Sequence, residues 1–248
     1  MSDKTWSELE NEAANAANLS ELFDLWRAAQ YAEENPDATK VKGIEAGSFS
    51  ADGHISEQDY DGILFVLKEA NLLNYLHLVN SVPHEREQHS WYRNFFMDGK
   101  PSEIDNNPKQ KEKMGRMACY VMNQSYAADN NMEEVRNGLR KSAFINLNKR
   151  GGDNTEKKVW AYTEKYSNFI KKQIALLNPK IIICLGTYKL VSEYGLNTID
   201  GKPVRTVDMW HTAYQMPKVT RNRECGIDRN VDAYMRKFIE RYHDSAEV

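Results

Sequence analysis

Glu69, Asn146 and His211 are a carboxylate, a carboxamide and an imidazole, and each stands at or just past the end of a short apolar run. The acid follows Gly62–Leu67, inside Lys68-Glu69-Ala70-Asn71. The amide closes Ala143–Leu147, inside Asn146-Leu147-Asn148-Lys149-Arg150. The imidazole follows Val204–Met209, inside His211-Thr212-Ala213. A further run, Lys180–Leu185, leads into Gly186-Thr187. If these runs are parallel strands, their carboxyl ends share one rim, which is where open α/β sheets bind ligands. An acid that can take a proton, an amide that both donates and accepts, and an imidazole would then meet there. Plainer uses stay open: Glu69 can cap a following helix, Asn146 can satisfy backbone at a strand end, and His211 can hold a carbonyl.

The elements that must position these groups are legible as patterns. The apolar runs do not alternate, as expected of strands covered by helices on both faces. Helical spacing predicts a long helix over 155–177, a short one over 187–194 and an amphipathic one over 228–245. Trp6, Leu9, Ala13, Leu22 and Trp26 recur at helical spacing over 5–34, in one piece or two, stopped at Asn35-Pro36. Asp52-Gly53 marks a turn in an irregular stretch. Strands alternating with helices imply βαβ units and a parallel sheet. The expectation is therefore one three-layer α/β domain over 1–248, with a short parallel four-stranded sheet. Residues 1–60 form an N-terminal helical extension, and 72–141 a helical insertion covering the rim.

In order along the chain, the four strand ends resemble those of the uracil-DNA glycosylase superfamily, especially its thermophilic-type branch. Lys68-Glu69-Ala70-Asn71 is similar to that family's Gly-Glu-Ala-Pro-Gly, Asn146-Leu147-Asn148-Lys149 to its Asn-Val-Val-Lys, IIICLG to its buried strand, and His211-Thr212-Ala213 to its His-Pro-Ser. The likeness covers about 62–71 and 142–217. It implies a uracil-DNA-glycosylase-like fold and hydrolysis of the N-glycosidic bond of a flipped damaged or deaminated base in DNA. Glu69 would direct water at the anomeric carbon, His211 would donate to the departing base, and Asn146 would read the base edge, with Lys68, Ala70 and Asn71 lining the base pocket. Lys149, Arg150, Thr212, Lys218 and Arg221 would contact nucleic acid. Lys68 departs from a family glycine, Asn71 from proline and Thr212-Ala213 from Pro-Ser. The alternative is a base- or nucleotide-binding module without catalysis, serving as a sensor or in phage defence. A third is a protein-interaction domain whose rim holds no ligand.

Composition narrows the rest. Net charge is -3 and the pI near 6.1, so the chain is not held to DNA by bulk charge and needs a local basic patch. Mean hydropathy is -0.72, and no apolar run approaches the roughly 20 residues that span a bilayer. The acidic start is not a secretory signal. A cytoplasmic monomer without membrane contact is expected, with DNA or a nucleotide as partner. Trp91, Tyr92, Phe95 and Phe96 read as the insertion's own core, with a base-stacking platform as the other use. His84 and His89 are five apart, which does not place two imidazoles on one helix face. The iron–sulfur cysteines of the thermophilic branch are absent: Cys119, Cys184 and Cys225 form no chelating pair. No cofactor or metal is therefore expected. Metal analysis of the purified protein should find neither iron nor zinc in stoichiometric amount, and an iron–sulfur chromophore would overturn this reading.

Overall fold

Ile63, Phe65 and Phe144 lie on one side of a sheet, and Leu64, Val66 and Ile145 on the other. The period-two geometry of a strand divides an all-apolar run in this way, so each face needs its own cover. The computed structural model describes residues 4–33, 40–41, 44–45, 49, 51–69, 108–125, 131–149, 156–212, 216–217, 227–228 and 231–245. Its sheet has four parallel strands: β1 (Ile63–Glu69), β2 (Ser142–Asn148), β3 (Ile181–Leu185) and β4 (Arg205–Met209). Their spatial order is β2-β1-β3-β4. Leu67 pairs with Asn146, Glu69 with Asn148, Val66 with Cys184, and Leu185 with Met209.

Helices cover both faces. On one lie α1 (Trp6–Ala14), α2 (Leu19–Glu33), α5 (Glu156–Lys165), α6 (Ser167–Leu177) and α7 (Tyr188–Glu193), contributing Trp26, Tyr166, Phe169 and Val191 to the core. On the other lie α3 (Pro108–Asn123), α4 (Met132–Arg140) and α8 (Val231–Asp244), contributing Met114, Leu139, Tyr234 and Phe238. This is the three-layer α/β arrangement that the alternating pattern predicts. Among the described residues no helix is long and apolar enough to cross a membrane.

Local signals explain the ends. Thr5 and Glu8 form a reciprocal capping box at the start of α1. Asn178 closes α6 in the left-handed region (φ 45°), and Pro179 then forbids continuation. The single helix expected over 155–177 is two, meeting at Tyr166. Hydrogen bonds from Tyr166 N to Tyr162 O and from Ile170 N to Tyr166 O still bridge the junction. The buried Tyr166 ring packs there 4.9 Å from Trp6 and 4.3 Å from Tyr162. The described part of the expected 72–141 insertion is helical, as α3 and α4. Trp91, Phe95 and the histidines at 84 and 89 lie outside the described residues.

β2 is an edge strand, and its outer side is not left open. Ile55 N donates to Ser142 O (3.1 Å) and Phe144 N to Gly53 O (2.9 Å). The next donor, Asn146 N, meets the Asp52 carboxylate instead, at 2.7 Å. Asp52 thus replaces the main-chain acceptor that the ladder would otherwise supply; the turn expected at Asp52-Gly53 is instead an extended segment along the sheet's edge, with His54 bridged to Ala143. Its other oxygen accepts from Lys149 Nζ at 2.5 Å and Gln173 Nε2 at 2.7 Å. Both ions of the pair are fully buried, and the ammonium also lies 5.3 Å from the centre of the Trp26 ring. Burial pulls the Lys149 pKa down, while Asp52 pushes it back up. Removing one partner strands the other charge in the core, which costs about 3–5 kcal/mol. Lys149→Met and Asp52→Leu should each lower stability by that order in urea unfolding. The double variant should lose clearly less than the sum of the two; strict additivity would mean that the pair is not coupled.

Candidate functional site

The rim is formed where β1 ends at Glu69, β2 at Asn148, β3 turns at Gly186 and β4 runs on to His211. Gly186 N donates to Met209 O (2.7 Å) and Thr187 Oγ1 to Val66 O (2.8 Å), which ties the turn after β3 to both neighbouring strands. Gly186 sits at φ +76°, a conformation that side chains resist. A methyl placed on it would lie 3.5 Å from His211 N and 3.8 Å from Lys68 Cε. The turn at Gly186 therefore lies directly beside Lys68 and His211.

The segment carrying His211 is held from outside. Along the free edge of β4, alternate carbonyls accept from side chains of the covering helices. Asp208 O accepts from Arg241 Nη1 (2.5 Å), Trp210 O from the Tyr234 hydroxyl, and Thr212 O from Lys113 Nζ (2.7 Å). Burial raises the Tyr234 pKa, so its hydroxyl stays a donor. Arg241 also stacks over the Trp210 ring at 4.6 Å, and Lys113 lies 4.4 Å from the centre of the Tyr234 ring. Arg116, bonded to Glu112 and Asp232, locks α3 to α8 behind this contact. The Thr212 side chain is 1% exposed, and its Oγ1 has no hydrogen-bond partner among the described residues.

His211 is half-buried. Burial lowers its pKa from 6.5, and the ammonium groups of Lys68 and Lys113 lower it further. At neutral pH the ring is uncharged, with one N–H to give and one lone pair to offer. Cys119 and Cys184 are not nucleophile candidates. Burial pushes the Cys119 thiol up to about 11 and that of Cys184 higher still, so both stay protonated. No group of three or more potential metal ligands occurs among the described residues.

Glu69 and His211 lie at the ends of strands sharing this rim, as the strand ends predict, although the Glu69 side chain lies outside the described part. Asn146 is placed differently from expectation. β2 continues to Asn148, so Asn146 lies two residues inside the strand, and Asn148 is the residue level with Glu69. The Asn146 side chain is 2% exposed, with Nδ2 3.4 Å from Asp52. β2 and β4 are opposite edges, about 14 Å apart at the usual strand spacing, so a ligand touching both Asn146 and His211 must cross the ends of β1 and β3. Lys149, expected to contact nucleic acid, is a correction: its ammonium is fully buried on Asp52, and a phosphate reaches it only by breaking that pair. Lys68 and Thr212 are at the rim. Ala70, Asn71, Arg150, Lys218 and Arg221 lie outside the described residues.

Sequence reasoning missed Asp52, Asn148, Lys113 and Tyr234. Asp52 carried only a turn signal, and Lys113 is one of several lysines in a polar helical stretch. The local environment of His211 gives a direct test. An NMR titration should place its pKa below 6.5 and, in Lys68→Met, closer to 6.5, because a like charge is gone. A lowered folded pKa means that the unfolded chain binds the proton more tightly. The contribution of His211 to stability is thus full above pH 6.5 and is lost as pH falls toward its folded pKa. Urea midpoints should show a smaller acid-side loss in His211→Asn. Titration of His211 at or above 6.5 would refute this picture of the rim.

Comparison with protein-family models, with curated proteins and with solved structures finds no match for this chain.

Proposed function

We propose that this chain is a uracil-DNA-glycosylase-like protein that takes a flipped damaged or deaminated base at the rim between Glu69 and His211 and hydrolyses its N-glycosidic bond. The observation that carries the reading is the place and state of His211: its backbone and Cβ lie beside Gly186, its ring is kept neutral by burial and by the charges of Lys68 and Lys113, and it stands on the rim where β1 ends at Glu69. Breaking the bond between C1′ and the base nitrogen sends the electron pair to the base and leaves positive charge on the sugar. An N–H from His211 to a base oxygen stabilises that departing charge. The Glu69 carboxylate stabilises the oxocarbenium-like sugar and takes a proton from the water whose oxygen joins C1′. The freed base then picks up a proton from solvent.

One observation favours a second reading. The amide meant to read the base edge, Asn146, is buried and engaged by Asp52, which suits a pocket that holds a base or nucleotide without cleaving it. DNA or a nucleotide as partner belongs to both readings.

Incubation with a uracil-containing single-stranded oligonucleotide, followed by alkali, separates them. Strand breaks are expected from the native chain. Glu69→Gln should lose about 10²–10⁴-fold in rate while binding the same oligonucleotide within a few-fold, because the amide keeps the shape but not the charge. Binding without breaks, on uracil and on other deaminated or alkylated bases alike, would select the binding module. Absence of both would reject a base site altogether.

A further inference from the structure

We propose that Lys68 is a further reactive group at this rim: its amine condenses with the aldehyde of an abasic deoxyribose and cuts the strand there by β-elimination. The inference rests on the reading of the rim as a place for the sugar of a flipped nucleotide. It does not rest on base removal by this chain, because a strand that has already lost a base presents the same aldehyde. Lys68 stands on β1, one residue before Glu69 closes the strand, and is half-buried. Its Cε lies 3.8 Å from the point a Cβ would take on Gly186, and His211 Cβ lies 3.6 Å from that point. The end of the side chain therefore rests beside the turn after β3, the strand next to its own. Its charge also acts on the His211 imidazole. The amine is thus held at the rim, between the end of β1 and the segment that carries His211.

The fold has uses for the other lysines near this end of the sheet. Lys149 is held by the Asp52 carboxylate and Lys113 by the Thr212 carbonyl. Lys68 forms no hydrogen bond or ion pair among the described residues. It is also the position at which this chain departs from the glycine of the family it resembles, so the amine is a property of this chain. A lysine amine, as its free base, adds to carbonyl carbon. Nζ attacks C1′ of the ring-opened sugar, the carbonyl oxygen leaves as water, and an iminium joins protein and strand. The iminium acidifies C2′, whose proton passes to water. The electron pair left behind forms the C2′–C3′ double bond as the C3′–O bond breaks, and the phosphate departs with its pair as the 5′ end of the downstream fragment. Water then hydrolyses the imine, which returns the lysine and leaves an unsaturated aldehyde on the upstream fragment. No oxidant or reductant is needed.

The test mixes the native chain with a single-stranded oligonucleotide carrying a preformed abasic site, with and without sodium borohydride. Borohydride reduces the iminium to a stable amine, so a covalent protein–DNA adduct is expected, and peptide mass mapping should place it on Lys68. Without borohydride, strand breaks should appear before any alkali is added. Lys68→Arg keeps the charge but not the amine and should lose both adduct and breaks. Lys202→Met, in an exposed hairpin, should keep both. No adduct from the native chain, an adduct mapped to another residue, or an adduct undiminished in Lys68→Arg would overturn the proposal. The two readings fail separately. Uracil-containing strands that break only after alkali would reject the Lys68 step and leave base cleavage standing. Abasic strands that break while uracil-containing strands stay intact would support the Lys68 step and reject base cleavage.

Discussion

The Asp52–Lys149 pair sets the edge of the sheet. A parallel sheet whose faces are covered still has two open sides, where main-chain donors and acceptors lack partners. On the β2 side the segment around Gly53 supplies two hydrogen bonds and the Asp52 carboxylate a third. A carboxylate in the core is costly unless it is neutralised. Lys149 neutralises it, Gln173 adds a donor from α6, and Trp26 lines the ammonium with an aromatic face. One pair thus joins strand, edge segment and helix layer, and it places the end of β2 at the rim.

The β4 side meets the same need differently. Here no strand-like segment is described along the edge, and the alternate outward carbonyls of Asp208, Trp210 and Thr212 are met by Arg241, Tyr234 and Lys113. These donors come from α8 and α3, which Arg116 clamps together. The device that satisfies the edge also brings a positive charge to His211. Structural satisfaction and site electrostatics are therefore one arrangement: Lys113 cannot be removed for its charge without freeing a buried carbonyl.

The consequence for chemistry is an asymmetric rim. At its β4 end the charges of Lys68 and Lys113 act on a neutral imidazole beside Gly186. Its β2 end is sealed by a neutralised ion pair. Lys149 and Lys113 are both buried and serve the fold, whereas Lys68 stands half-buried at the rim.

The four strands and most of the helices were legible because their signals are local. Non-alternating apolar runs such as Ile63–Leu67 and Ile181–Leu185 demand cover on two faces whatever the partner, and Asn178-Pro179 stops a helix by its own backbone geometry. Placement of Glu69 and His211 at strand ends followed from those runs alone. The spatial order of the strands, the extension of β2 to Asn148 and the fate of each lysine did not. Lys149 lies 97 residues from Asp52, and Lys113 lies 99 from Thr212. A lysine in a sequence is a charge on a flexible stem that fits solvent, a phosphate or a carboxylate equally well. Local pattern was enough to say which segments are strands; which cations are used up inside the fold came only with the tertiary contacts, because burial and pairing depend on neighbours that no local pattern encodes.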